Sequence, residues 1–318
     1  MTRPPIKDMI GGVMQISRRC FAHLAGAAAL AGPPMLAQGS SLTAQQVVDR
    51  IRQNVGVPWQ PQSLDAFKAG DPATPVTGIA TTGMATMDML TRASKDKTNL
   101  VVTLEPTFFG RLDAQPDPVA GAGRSGGRGQ AGVGADDPVY AAKKQFIRNN
   151  GLVVWRFTDH WRGRKPDPFA IGLAGVLGWT KYQVGDDVFR YDVPAVTLTA
   201  LADGLAKRLK ARAGIRVIGD PQTRVRRIAL LPGVSTLAAA IKSLPECDVL
   251  LAGETREWES VEYAQDTVAS GQKKGMIMLG RVVSEEPGMN VCAEWLKALV
   301  PEVPVRWMAA GDLYWRPA

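Results

Sequence analysis

Histidine and cysteine are nearly missing from this chain: its 318 residues hold two of the first and three of the second. A zinc site needs thiolate or imidazole ligands at set spacings, and no Cys–Cys or Cys–His spacing here supplies one. Beyond the N-terminal region His160 is the one histidine, so no serine–histidine–acid constellation can be claimed. The glycine-rich stretch GAGRSGGRGQAGVG at 121–134 lacks the Gly-Lys-Ser/Thr ending and following helix of a phosphate-binding loop. The net charge of +8 comes with no lysine-rich run and no interleaved aromatics, which argues against a nucleic-acid partner.

What the chain does have is an ordinary globular composition, 45% hydrophobic and 21% charged, and length for about two domain-sized units. Ser17-Arg18-Arg19-Cys20-Phe21 sets paired arginines directly before Phe21–Ala37, an apolar stretch of alanine, glycine and leucine. That pattern predicts a twin-arginine export signal over residues 1–40, cleaved near Ala37–Gly39, and a periplasmic or secreted mature protein. Gly26, Gly32 and Pro33-Pro34 break the stretch, which is too short to span a bilayer, so no membrane anchor is expected after cleavage. Arg3, Lys7, Arg18 and Arg19 leave with it against Asp8, so +5 of the +8 stays with the mature chain. Only Cys247 and Cys292 then remain, and an oxidising periplasm leaves a disulfide between them open.

Along the mature chain the apolar pattern switches repeatedly between periods of two and 3.6. Strands are expected at 76–81, 99–103, 152–157, 215–218, 225–231, 248–252, 275–279 and 303–308, with an extended stretch at 182–193. Helices are expected at 43–54, 84–95, 137–150, 168–178, 198–212, 235–244, 257–270 and 288–299. Alternation of this kind predicts an α/β fold with helices covering the sheets. The expected plan is a first α/β lobe at 41–185 with a flexible Gly/Arg-rich loop at 115–135, a connecting segment at 186–225, and a second lobe at 226–318. Trp155, Trp161, Trp179, Trp258 and Trp295 are expected to pack in the core or an interface.

The two lobes share a spacing. Glu105 follows Ile79 by 26 residues, just past the next strand, and Glu254 follows Ile228 by the same 26. Each half then continues into another helix and strand, which end in the polar loops 158–165 and 281–286. Two similar strand–helix–strand halves would direct four strand ends towards a shared cleft. Carboxyl ends of strands are where ligands collect in α/β sheets. There stand Glu105, Asp159, His160, Arg162, Arg164, Lys165, Glu254, Arg281, Glu285 and Glu286.

Four segments carry a resemblance to a known family: LEPTFF at 104–109, VVWRFTDHWRGRKPD at 153–167, AGETREWESVEYAQD at 252–266 and LGRVVSEEPGM at 279–289. Together they resemble the Nif-three-like family of dinuclear metal-centre hexameric proteins, in particular its exported bacterial members. The resemblance covers nearly all of the mature chain. It implies two α/β lobes of the Nif-three-like fold facing a shared cleft, a homo-hexameric ring, and a two-metal site at the strand ends with presumed hydrolytic activity. It would place metal-binding histidines at Leu104, Thr158, Arg162 and Arg281 and a carboxylate ligand at Glu285. Of these only Glu285 survives, with Glu105 beside the first lost position.

Two arginines repel a divalent ion: at about 4 Å each unit pair costs roughly 4 kcal/mol at an effective dielectric near 20. The leading expectation is therefore a metal-poor, non-catalytic oligomer without a cofactor. In it Arg162 and Arg281 pair with Glu105, Glu254 or Glu285, and the cleft, with Arg164 and Lys165, binds a small anionic molecule. The alternative is a hydrolase of cyclohydrolase or phosphoester type, with Glu285 and Glu105 as catalytic groups. It would keep one or two divalent ions (Zn, Mn, Fe or Mg) on Asp159, His160 and Glu285. A third possibility is a structural ring scaffold.

Overall fold

The computed structural model describes residues 42–110, 137–211 and 214–314. The export signal expected at 1–40 and the Gly/Arg-rich loop expected at 115–135 lie outside the described residues.

Chain order begins with α1 (Ala44–Asn54), β1 (Phe67–Ala69), β2 (Ile79–Thr82), α2 (Met87–Lys95) and β3 (Leu100–Thr103). It continues through α3 (Pro138–Asn149), β4 (Val153–Arg156), α4 (Asp159–Gly163) and α5 (Pro168–Leu177). Then come β5 (Gln183–Val184), β6 (Asp187–Thr197), α6 (Leu198–Arg208), β7 (Arg216–Ile218) and β8 (Arg224–Val234). The last part runs α7 (Leu237–Ser243), β9 (Val249–Glu254), a π-helical turn at Glu257–Val261, α8 (Glu262–Ala269), β10 (Gly275–Met278), α9 (Arg281–Leu299) and β11 (Val305–Trp307).

Local signals account for the boundaries. Thr43 and Gln46 form a capping box at α1, and Asp137 caps α3 ahead of Pro138. Asp167 caps α5 ahead of Pro168, and Gly178 ends that helix in the left-handed conformation at φ +70°.

Two sheets result. The first has the order β1-β4-β3-β2-β11 and is parallel except for its edge strand β1; the second has the order β5-β6-β8-β9-β10-β7. Their centres correspond: Ile79 pairs with Leu100 in one, and Ile228 with Val249 in the other, both 21 residues apart. The shared spacing is thus a shared register, and the fold is α/β with two similar lobes.

Alternation along the central strands feeds opposite faces. Ile79, Leu100, Val102 and Trp155 face a core with α1 and α9, whereas Ala80, Val101 and Val154 face one with α2 and α3. In the second sheet Ile228, Leu230, Val249 and Ile277 meet α5 and α6, and Ala229, Leu250 and Met276 meet α7 and α8. Strands buried on both faces are what parallel sheets covered by helices require.

Three expectations change. The segment 186–225, expected to connect the lobes, supplies β6 and β7 to the second sheet, because its apolar positions alternate into that core. Strand β11 comes from the part assigned to the second lobe but pairs with β2 of the first sheet. The polar loops expected at 158–165 and 281–286 hold α4 and the opening of α9, and α9 runs on through Pro287. A proline inside a helix removes one backbone donor. It is accommodated because α9 is wedged against α5: a Cβ on Gly172 would lie 2.4 Å from the Pro287 carbonyl oxygen, and one on Gly288 would meet Phe169. α9 packs on strands of both sheets and is buried on nearly all sides along Ser284–Met289.

The tryptophans divide. Trp155 and Trp161 are fully buried, but Trp258 is 70% exposed on the π-helical turn, its ring beneath Arg256. Cys247 and Cys292 are free and buried in separate cores.

Candidate functional site

The opening turns of α9 gather the strand ends. Ser284 accepts a hydrogen bond from Gly233 N at 2.9 Å, at the end of β8. Glu286 accepts from Gly83 N at 3.0 Å and from the Trp307 indole at 3.1 Å, at the ends of β2 and β11. Between them, Glu285 turns toward α4. Helical spacing also puts Arg281 and Glu285 on one face, with Arg281 Nε 3.4 Å from Glu285 Oε2.

Arg162, on α4, completes an ion quartet. Its Nη1 donates to Glu285 Oε1, and its Nη2 lies 3.1 Å from Glu285 Oε2 and 2.9 Å from Glu105 Oε1. Arg281 Nη2 reaches the same Glu105 oxygen at 2.7 Å. Two guanidinium groups therefore bracket two carboxylates, and Glu285 is only 3% exposed in its side chain. Burial alone would lower the Arg162 pKa, but hydrogen bonding and attraction from Glu285, and then from Glu105, outweigh it and hold the pKa above the ordinary arginine value. Arg162 Nε also donates to Thr158 Oγ1 at 3.2 Å, and its guanidinium lies 5.0 Å from the Phe169 ring centre. Leu104, beside Glu105, is buried in hydrocarbon.

The remaining expected residues stand apart from this cluster. Both ring nitrogens of His160 are engaged: Nδ1 with Asp65 Oδ2 at 2.6 Å, and Nε2 accepting the Gln60 amide at 2.8 Å. The imidazole is stacked on Trp59 with centroids 3.7 Å apart. Asp159 accepts from Leu64 N at 2.7 Å. These two therefore fasten the 59–65 segment and do not join Glu285. Arg164 donates to the Val55 carbonyl and packs over Trp161 and Trp295, which makes it a packing residue. Lys165 is exposed. Glu254 occupies the position equivalent to Glu105, yet its side chain is exposed and its carbonyl holds Ser235 N.

Asp65 was not anticipated. Its carboxylate accepts the amides of Thr158, Asp159 and His160, capping α4 from 93 to 95 positions earlier in the chain. Nothing in the local Pro/Gln/Ser context of Asp65 signals that contact. Ser284 and Gly233 were also missed. A Cβ on Gly233, whose φ is +74°, would lie almost on Glu285 Oε1, so only glycine closes this corner.

Beside the quartet is a cavity of about 220 Å³, lined by Arg162, Glu285 and Asp167, by the polar Ser235 and Thr236, and by apolar groups from α5, β6, β8 and α7. The register of β8 against β9 shifts between Leu231 and Val234, a bulge that carries Pro232 and Val234 to the cavity wall. A larger groove of about 540 Å³ lies along β1 and α3, at the start of β4 and away from the strand ends that carry the quartet.

No family model and no curated protein matches this chain in sequence. Solved structures do match in fold. The Staphylococcus aureus protein SA1388 aligns with a TM-score of 0.62 at 13% identity, covering 87% of this chain and all of its own. The Bacillus cereus protein related to NIF3 gives 0.57 at 12% identity, over 87% of this chain and 99% of that one. The protein ybgI, of unknown function, gives 0.57 at 16% identity, over 86% of this chain and all of that one. The chain therefore has the NIF3-like fold.

Proposed function

We propose that this is an exported, metal-independent and non-catalytic oligomer of the NIF3-like fold that binds a small molecule through an anionic end. One observation carries the reading: Arg162 and Arg281 stand between Glu105 and Glu285, at positions where the family resemblance implies metal ligands.

The side chains present do not fit a divalent centre. Leu104 offers no donor atom, the Thr158 hydroxyl is taken by Arg162, and both Glu285 oxygens are bonded to guanidinium groups. His160 has no lone pair left for a metal once the Gln60 amide is satisfied. Among the described residues no cluster of three or more His, Cys, Asp or Glu has metal-holding geometry. The metal-dependent hydrolase alternative thus lacks a ligand set.

The arginines keep capacity for a ligand. Arg162 spends four of its five N–H groups on Thr158, Glu105 and Glu285, which leaves one Nη1 hydrogen, and the residue lines the cavity. Arg281 has no described partner at Nη1, and its side chain is 36% exposed. A monoanionic oxygen can be held there without breaking the quartet.

Thermal denaturation of the mature protein in EDTA, against a panel of small carboxylates and inorganic phosphate, tests this. A monocarboxylate should raise the melting temperature while chelator leaves it unchanged. A panel without effect would favour the scaffold reading, and EDTA-sensitive hydrolysis of a nucleotide or phosphoester would favour the hydrolase.

A further inference from the structure

The charges around the 220 Å³ cavity do not balance, and the imbalance defines what it can hold. Arg162 brings one positive charge to the lining, whereas Glu285 and Asp167 bring two negative ones. Glu285 answers Arg162 directly, so Asp167 is left as the unneutralised group. Its Oδ1 accepts the amides of Phe169 at 2.8 Å and Ala170 at 3.0 Å, but its Oδ2 has no described partner. A ligand that is only an anion would meet this carboxylate, and a phosphate dianion would meet it at twice the charge.

The walls add a third requirement. Phe169 and Phe189 present rings, and Leu231 and Pro232 add aliphatic surface where the β8 bulge turns them toward the cavity. The volume falls below the roughly 300–1,000 Å³ usual for drug-sized ligands, which suits a small molecule better than a nucleotide.

We infer that the cavity binds an apolar α-amino acid, a zwitterion whose carboxylate takes the remaining Arg162 N–H, whose ammonium faces Asp167, and whose side chain packs on Phe169, Phe189, Leu231 and Pro232. The inference rests on the arginine-held anionic end proposed above and adds the opposite charge and the apolar body. An ammonium beside Asp167 also gains from the aromatic faces. The amino acid brings one charge of each sign, so it supplies the missing cation without adding net charge to the cleft. A free amine would leave the arginine end unfilled, and a free acid would leave Asp167 unanswered.

Isothermal titration of the mature protein tests this with L-phenylalanine, 3-phenylpropionate, which lacks the ammonium, phenethylamine, which lacks the carboxylate, and inorganic phosphate. Phenylalanine should bind, with each single-ended analogue at least tenfold weaker. Asp167→Asn keeps the helix cap, since asparagine caps as well as aspartate, so the fold should survive. This variant should lose about tenfold or more in phenylalanine affinity and lose nothing for 3-phenylpropionate. Equal binding of phenylalanine and 3-phenylpropionate by the unaltered protein would overturn the inference and leave the anion-binding reading standing. Tighter binding of phenethylamine would overturn both, as would a failure of all four probes to bind.

Discussion

Arg162 and Glu285 are joined by paired hydrogen bonds across 123 residues of chain, the first on α4 beside the first sheet and the second on the helix that packs on both sheets. The pair is asymmetric in exposure: 32% of the Arg162 side chain is open, but only 3% of that of Glu285. The carboxylate is therefore the member that depends on its partner. A buried charge stripped of its counter-ion costs far more than the pair contributes when intact.

That asymmetry predicts unequal variants. Arg162→Met should destabilise the protein by about 3–5 kcal/mol, because Glu285 would keep only the longer contact from Arg281. Arg281→Ala should cost about 1 kcal/mol, since Arg162 still holds both carboxylates. Urea unfolding of the two variants measures the difference, and equal losses would show that the quartet is not organised around Arg162.

Glu286 sets a pH dependence of stability. Burial pushes its pKa above the ordinary carboxyl value despite hydrogen bonding from the Gly83 and Ala310 backbone and the Trp307 side chain. A carboxyl with a raised folded-state pKa binds its proton more tightly when folded. Its stabilisation is full below the unfolded value of about 4.3 and is lost as pH rises through the folded value. Glu286→Gln keeps an acceptor for Gly83 and removes the charge. It should raise stability at pH 7–8 by roughly 1–2 kcal/mol, a gain that fades toward pH 4. Melting curves across that range would refute the account if the gain were constant.

His160 is a fastener between Asp65 and the Gln60 amide. His160→Ala should cost about 1–3 kcal/mol through the buried groups left unpaired, with no change in the metal content of the protein. A fall in bound metal without a fall in stability would return His160 to the role of ligand.

Histidine placed together at 104, 158, 162 and 281 should restore uptake of about two divalent ions per chain, read by elemental analysis, because it removes both guanidinium charges and supplies four imidazoles. Leu104 lies in the core, so the variant should fold well only with metal present.

Much of this was legible in the sequence. The 26-residue spacing from Ile79 to Glu105 and from Ile228 to Glu254 reports the common register of the two sheets. What escaped depends on contacts far apart in the chain. Glu105 and Glu254 are equivalent in sequence, yet only Glu105 finds arginines; its counterpart stays at the surface and holds Ser235 through its carbonyl. His160 resembled a ligand because it is rare and lies past a strand, and only the fold brings Asp65 and Gln60 against both of its nitrogens. The stretch 281–286 read as a polar loop past a strand, yet it opens α9, which runs on through Pro287 packed against Gly172.

The central claim is that guanidinium groups do here the electrostatic work that metal ions would otherwise do. Elemental analysis of the mature protein, purified without chelator and with metals present during growth, tests it most directly. The account predicts well under one transition-metal or magnesium ion per chain; about two per chain would contradict it.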